Sequence, residues 1–205
     1  MRDGRRQLQV ALDAPEAIAC LESIRDLVDV IEIGTPLLKR FGLSAITTVK
    51  QLAPTAVILA DSKTADGGYL EARMLYDAGA EMITVLSEAG QATWDAVARA
   101  ATECRHEAVI DTLLASDVVE AATRQYPAAF TYIALHVSAD SRQAGTASAA
   151  GLAPLLSALP RHRKVAVAGG VNRDTIAAIV AAGPDLVVVG RAITQPRSTE
   201  LIPER

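Results

Sequence analysis

Apolar residues fall along this chain in short continuous runs: LQVALD (8–13), VDVIEIG (28–34), AVILAD (56–61), MITVLS (82–87), EAVIDT (107–112), TYIALH (131–136), KVAVAGG (164–170) and DLVVVG (185–190). Strict apolar–polar alternation is missing from them, which is the pattern of strands buried on both faces of a parallel sheet. Between the runs lie stretches of helical period, such as GGYLEARMLYDAGA (67–80) and ATWDAVARAATEC (92–104). The mean spacing of the runs is about 25 residues, close to a minimal strand–helix unit. Eight such units predict an α/β fold, a minimal (β/α)8 TIM barrel. A doubly wound open sheet competes with it but more often has about five or six strands. No Pro- or Ser-rich linker divides the sequence, so one domain is expected over residues 1–205. The end, TQPRSTELIPER (194–205), is too brief for a full eighth helix, which is expected to be short or missing.

Composition narrows the picture. Half of the 205 residues are hydrophobic and only 3% aromatic, as suits tightly packed repeating units. The net charge of −4 gives no broad electrostatic footprint for nucleic acid. No apolar run reaches the roughly 18 residues of a membrane span, and no secretory pattern opens the chain, so a cytoplasmic location is expected. The two cysteines, Cys20 and Cys104, are far apart and lack metal-ligand spacing. They read as helix-packing thiols in a reducing compartment.

The chemistry of a barrel sits at the C-terminal ends of its strands. Here those ends carry Asp13, Glu32, Asp61 followed by Lys63, Asp111 and His136. Asp13 opens DAPE, which also reads as a helix N-cap with Glu16 three residues on. Capping does not explain Glu32, which has apolar neighbours on both sides and would be costly to bury unpaired. Asp61 and Lys63 also read as a structural ion pair, and a lone histidine such as His136 is more often a satisfied rim residue. What favours function is coincidence: five strands end in ionisable groups at one rim. The last two strands end in glycines instead, Gly169 and Gly170 and then Gly190 before Arg191. Glycine lets backbone N–H groups approach an anion, and barrels commonly bind phosphate at these two strands. Arg191 adds a fork able to contact phosphate bidentately.

These residues resemble the orotidine monophosphate decarboxylase superfamily. Within it they are similar to the group containing 3-hexulose-6-phosphate synthase and 3-keto-L-gulonate-6-phosphate decarboxylase. The Asp-x-Lys-x-x-Asp motif stands as Asp61, Lys63 and Asp66, and VDVIEIGTPLLKRFGLSAI (28–46), VAVAGGVN (165–172) and GPDLVVVGRAIT (183–194) carry the likeness. The resemblance implies that Glu32 and Asp61 help hold Mg²⁺, or Mn²⁺, a hard cation that keeps several waters. It places Lys63 near the metal and sugar oxygens, and Asp13 on the sugar hydroxyls. His136 would be a proton carrier, and Gly169, Gly170, Gly190 and Arg191 would hold the phosphate. Asp66 would reach into the site of a partner subunit, so a homodimer is implied. Both group members pass through a cis-enediolate of a phosphorylated ketose, whose charge a metal ion and an ammonium stabilise.

Asp111 and Ala139 bear on which reaction is run. The synthase ends its fifth strand in Asp, as here. The decarboxylase carries at the position of Ala139 an arginine that assists proton delivery. The expectation is therefore a carbon–carbon lyase of the aldolase type, condensing formaldehyde with D-ribulose 5-phosphate. Decarboxylation of a keto-gulonate phosphate, or related phosphosugar lyase chemistry, is the alternative. A non-catalytic phosphosugar-binding barrel would need the glycines and Arg191 but not so many costly charges. Ser138 and Arg142 depart from the synthase pattern in the loop after His136.

Overall fold

The computed structural model describes residues 6–145, 148–159 and 163–195. Eight parallel strands close into a barrel in sequence order. They are β1 (Gln7–Leu12), β2 (Val30–Ile33), β3 (Val57–Thr64), β4 (Met82–Leu86), β5 (Glu107–Asp111), β6 (Phe130–His136), β7 (Lys164–Ala168) and β8 (Leu186–Val189). Pairing of β1 with β8, Gln7 opposite Leu186, closes the ring. Around it run α1 (Pro15–Ile18), α2 (Leu21–Ile24), α3 (Thr35–Phe41), α4 (Leu43–Leu52), α5 (Gly68–Asp77) and α6 (Gln91–Cys104). Then come α7 (Val118–Thr123), α8 (Ala139–Gln143), α9 (Ala153–Ala158), α10 (Ile176–Ala182) and α11 (Arg191–Thr194). The helix after β8 is thus a single turn, and residues 196–205 lie outside the described residues.

The unbroken apolar runs have a two-sided explanation. Alternate residues such as Ile31, Ile33, Ile58, Ile83, Ile110, Ile133 and Val167 face outward and pack under the helices. The residues between them, Val30, Leu59, Met82, Val109, Tyr132, Ala134, Ala166 and Leu186, fill the barrel. Helical alanines such as Ala45, Ala72, Ala100 and Ala121 are almost fully buried and let the helices lie close to the sheet. Nearer the mouth, Ala11, Ala168 and Val188 form a separate cluster of small side chains on β1, β7 and β8. That side of the mouth is therefore the roomier one.

Counting by two along each strand from these interior residues arrives at most of the rim candidates: 30 to Glu32, 59 to Asp61, 109 to Asp111, 134 to His136, 168 to Gly170, 188 to Gly190. The strand period alone aims them into the mouth.

Candidate active site

Lys63 is the hub. Its ammonium donates to Asp61 at 2.7 and 2.6 Å and to Asp111 Oδ2 at 3.2 Å. His136 Nδ1 lies 3.2 and 3.1 Å from the two Asp111 oxygens. One hydrogen-bonded line therefore runs from β3 to β6: Asp61, Lys63, Asp111, His136. Burial alone would lower the Lys63 pKa, but Asp61 and Asp111 outweigh it and hold the ammonium above its ordinary value. Burial pushes Asp111 the other way. The hydrogen bond and charge of His136, with Lys63 and the Leu113 N–H, prevail and keep its carboxyl below the ordinary value.

β3 does not stay extended through Lys63. The register between β3 and β4 slips between Ala60 and Thr64, and Lys63 has φ of 49°. A non-glycine residue held there marks local strain. Thr84 on β4 supports it. Its Oγ1 accepts the Lys63 N–H at 2.9 Å and donates to Asp61 Oδ1 at 2.8 Å, while Thr35 Oγ1 donates to Asp61 Oδ2 at 2.7 Å. The sequence reading missed Thr35 and Thr84. Each stands on a neighbouring unit with no charge to mark it, although Thr84 shares the inward parity.

Glu32 and Asp13 complete the polar half. Glu32 accepts from the Gln9 side-chain amide at 2.5 Å inside the barrel, a second partner that the sequence reading missed. Burial, and then the charge of Asp61, raise the Glu32 pKa well above normal. Asp13 is exposed at the mouth yet close-walled, and a Cβ at Gly34 would come within 2.2 Å of its Oδ1. Lost hydration and the charge of Asp61 raise its pKa, against Lys63, Arg191 and Arg142. The capping alternative for Asp13 fails, because the N-cap of α1 is Ala14 with no side-chain cap. Among the described residues no three His, Cys, Asp or Glu side chains are gathered as a ready metal site. The donor chemistry still suits a hard divalent ion. Glu32 and Asp61 are buried carboxylates on adjacent strands, the charge of Asp61 adds to the cost of ionising Glu32, and Mg²⁺ needs only one or two carboxylates beside its waters.

The glycine half is built by close approach. Gly169 and Gly170 have φ of 101° and 82°. A Cβ at Gly169 would sit 2.2 Å from the Val137 carbonyl, and one at Gly170 would sit 2.6 Å from Arg142 Cδ. The loop after β6 is thus seated on both. Arg191 opens α11 directly after Gly190. Asp66 does not join the line of charged groups. It is exposed, and its Oδ1 accepts the Gly67 N–H at 2.7 Å.

Residues 6–200 match the family described as Orotidine 5'-phosphate decarboxylase / HUMPS. A "Bifunctional enzyme Fae/Hps" of Methanococcoides burtonii is 41% identical over 206 residues, covering 97% of this chain and 51% of that protein. The chain thus spans about half the length of this relative. A crystal structure of 3-hexulose-6-phosphate synthase from Salmonella typhimurium is 37% identical with a TM-score of 0.85, covering 92% of this chain and 90% of that one. A KGPDC from Streptococcus mutans, in complex with D-R5P, has the same TM-score of 0.85 at 28% identity, covering 94% and 91%. The backbone therefore does not separate the two named activities.

Proposed function

The chain belongs to the Orotidine 5'-phosphate decarboxylase / HUMPS family, and on that premise we propose that it is a 3-hexulose-6-phosphate synthase. It would join formaldehyde to D-ribulose 5-phosphate, in the cytoplasm. The observation that carries the reading is the line Asp61–Lys63–Asp111–His136. Asp111 is held ionised and so can only accept hydrogen bonds. Facing it, His136 in the form that can act as a base must place its one proton on Nδ1, which leaves the Nε2 lone pair for the substrate. His136 Nε2 then removes the C1 proton of the ketose phosphate. The carbanion forms its new bond to the formaldehyde carbon, and the resulting alkoxide takes up a proton. Lys63 places positive charge beside the enediolate oxygens, and Asp13 meets the sugar hydroxyls. Glu32 and Asp61 would hold Mg²⁺ or Mn²⁺, which supplies further positive charge for those oxygens. Gly169, Gly170, Gly190 and Arg191 take the phosphate.

The loop after β6 favours this reaction over keto-gulonate phosphate decarboxylation. Position 139 is alanine, and Arg142 packs on the Gly170 turn that follows β7. Position 139 thus supplies no arginine to deliver a proton after loss of CO₂. The test is exchange of the C1 proton of D-ribulose 5-phosphate with D₂O, followed by NMR, and then condensation with formaldehyde. Both should proceed, and His136→Ala should slow both by on the order of 10²-fold or more, as for a lost general base. A wild type that decarboxylates the keto-gulonate phosphate faster than it condenses formaldehyde would refute the synthase assignment.

We also infer a homodimer in which Asp66 serves the neighbouring site. Asp66 lies open beside a cleft of about 400 Å³ lined by Tyr69, Leu70, Ala92 and Thr93. Next to it the apolar Leu70 and Met74 are 67% and 46% exposed on α5, one turn apart. Asp66→Ala and Lys63→Ala proteins should each be weak, and mixing them should restore activity. No recovery in verified mixed dimers removes Asp66 from the partner's site.

A further inference from the structure

The side chain of Arg142 carries more than the sequence assigns to it. Ser138 caps α8, its Oγ accepting the Ser141 N–H at 3.0 Å, so the short helix starts at a fixed place. Arg142 follows within one turn, its N–H donating to the Ser138 carbonyl at 3.2 Å. Its stem lies against the Gly169–Gly170 turn. A Cβ at Gly170 would meet Arg142 Cδ at 2.6 Å and Nε and Nη1 at 3.5 Å. Glycine at 170 thus makes room for an arginine. Arg142 Nε is buried and has no hydrogen-bond partner. Among the described residues no carboxylate forms an ion pair with Arg142 or Arg191, although their charges bear on each other and both bear on Asp13. A buried guanidinium donor left unpaired, beside a second guanidinium, is a costly arrangement unless an anion joins them.

We propose that Arg142 is a second phosphate ligand, forming with Arg191 a two-arginine clamp on the substrate's phosphate dianion above the Gly169–Gly170 turn. This rests on the phosphosugar reading given above and extends it to a residue outside the glycine and Arg191 set. Two planar forks suit a monoester dianion, because each can donate two N–H groups to a pair of phosphate oxygens.

The experiment compares Arg142→Gln, Arg142→Lys and Arg191→Gln with the wild type. The probes are inorganic phosphate by calorimetry and D-ribulose 5-phosphate by kinetics, with thermal melts checking that each variant is folded. Arg142→Gln should weaken phosphate binding, and raise KM for the ketose phosphate, by on the order of tenfold to a hundredfold, as for loss of a charged hydrogen bond. The loss should be carried by KM rather than kcat, and Arg142→Lys should recover part of it. Phosphate binding that is lost in Arg191→Gln but intact in Arg142→Gln overturns the clamp. A fall in kcat with phosphate affinity intact also overturns it, placing Arg142 on the proton-transfer side. If neither arginine affects phosphate binding, the phosphate site itself is misassigned, an outcome distinct from failure of the clamp alone.

Discussion

Acidic residues flank the strands at both ends of this barrel, and the two ends use them differently. At the N-terminal end Asp29, Glu81 and Asp185 each stand just before a strand and accept the backbone N–H of a residue on the preceding strand. Asp29 takes Leu8 at 2.9 Å, Glu81 takes Ile58 at 2.8 Å and Asp185 takes Val165 at 2.8 Å. Lys50 adds an ion pair to Glu81 at 3.0 Å. These carboxylates satisfy amides that the parallel ladder leaves open, so their charge is spent on backbone. At the C-terminal end Asp13, Glu32, Asp61 and Asp111 face one another, and Lys63 and threonine hydroxyls answer them. Acids that each hold one amide stabilise the sheet. At the mouth the charge of Asp61 adds to the cost of ionising both Glu32 and Asp13, and such crowding marks chemistry more than structure.

The contrast is broken most forcefully at Asp111, which touches both Lys63 and His136. Asp111→Asn should lower kcat/KM for condensation by on the order of 10³-fold or more, because an amide can donate to His136 Nδ1 and force the wrong tautomer while releasing Lys63. The pH dependence of folding sharpens the point. Asp111 is held below the ordinary carboxyl value of 3.8. Its contribution to stability is therefore fully present above that unfolded-chain value and is lost as pH falls through the folded value. Urea melts of wild type and Asp111→Asn should differ where Asp111 is ionised, above its unfolded-chain value, and the gap should close as pH falls through the lower folded value. A gap that persists or widens as pH falls below that unfolded-chain value would mean that Asp111 is not held ionised by its neighbours.

Much of this was legible in the sequence, for a physical reason. A strand repeats every two residues, so an ionisable group just after an apolar run has its direction fixed by the run itself. Asp13, Glu32, Asp61, Lys63, Asp111 and His136 were readable on that basis, and the glycines by their place after β7 and β8. Thr35, Thr84 and Gln9 were not, because they matter through the carboxylate each touches, and that contact spans 21 to 26 positions of sequence: Thr35 to Asp61, Thr84 to Lys63 and Asp61, and Gln9 to Glu32. The left-handed backbone at Lys63 was equally hidden, since nothing in DSKTAD announces a bulge. Nor did the sequence show that Arg142 would turn toward Gly170, a contact between the loops of two strands.

The smallest effect tests the opposite end. Asp185 is half-buried in the turn before β8, and its Oδ2 takes the Val165 N–H at 2.8 Å while its own N–H donates to the Val165 carbonyl at 2.9 Å. The backbone bond survives in Asp185→Ala and only the side-chain acceptor is lost. Removing it should cost about 1–2 kcal/mol, the scale of one hydrogen bond to a charged group. For a chain of this size each kcal/mol is worth about 2–4 °C in Tm. The site lies at the other end of β7 and β8 from Gly170 and Gly190, and the strands between are packed solid with Val165, Val167, Val187 and Val189. A local loss at the floor should therefore leave kcat/KM for D-ribulose 5-phosphate and formaldehyde within about twofold of wild type at 25 °C, as distant sites act independently. A Tm lowered with kinetics intact upholds the division between a floor that holds the barrel and a mouth that works on substrate. If kcat/KM falls tenfold while the protein remains folded, the Val165–Asp185 contact sets the position of the phosphate glycines, and the two ends form one mechanical unit.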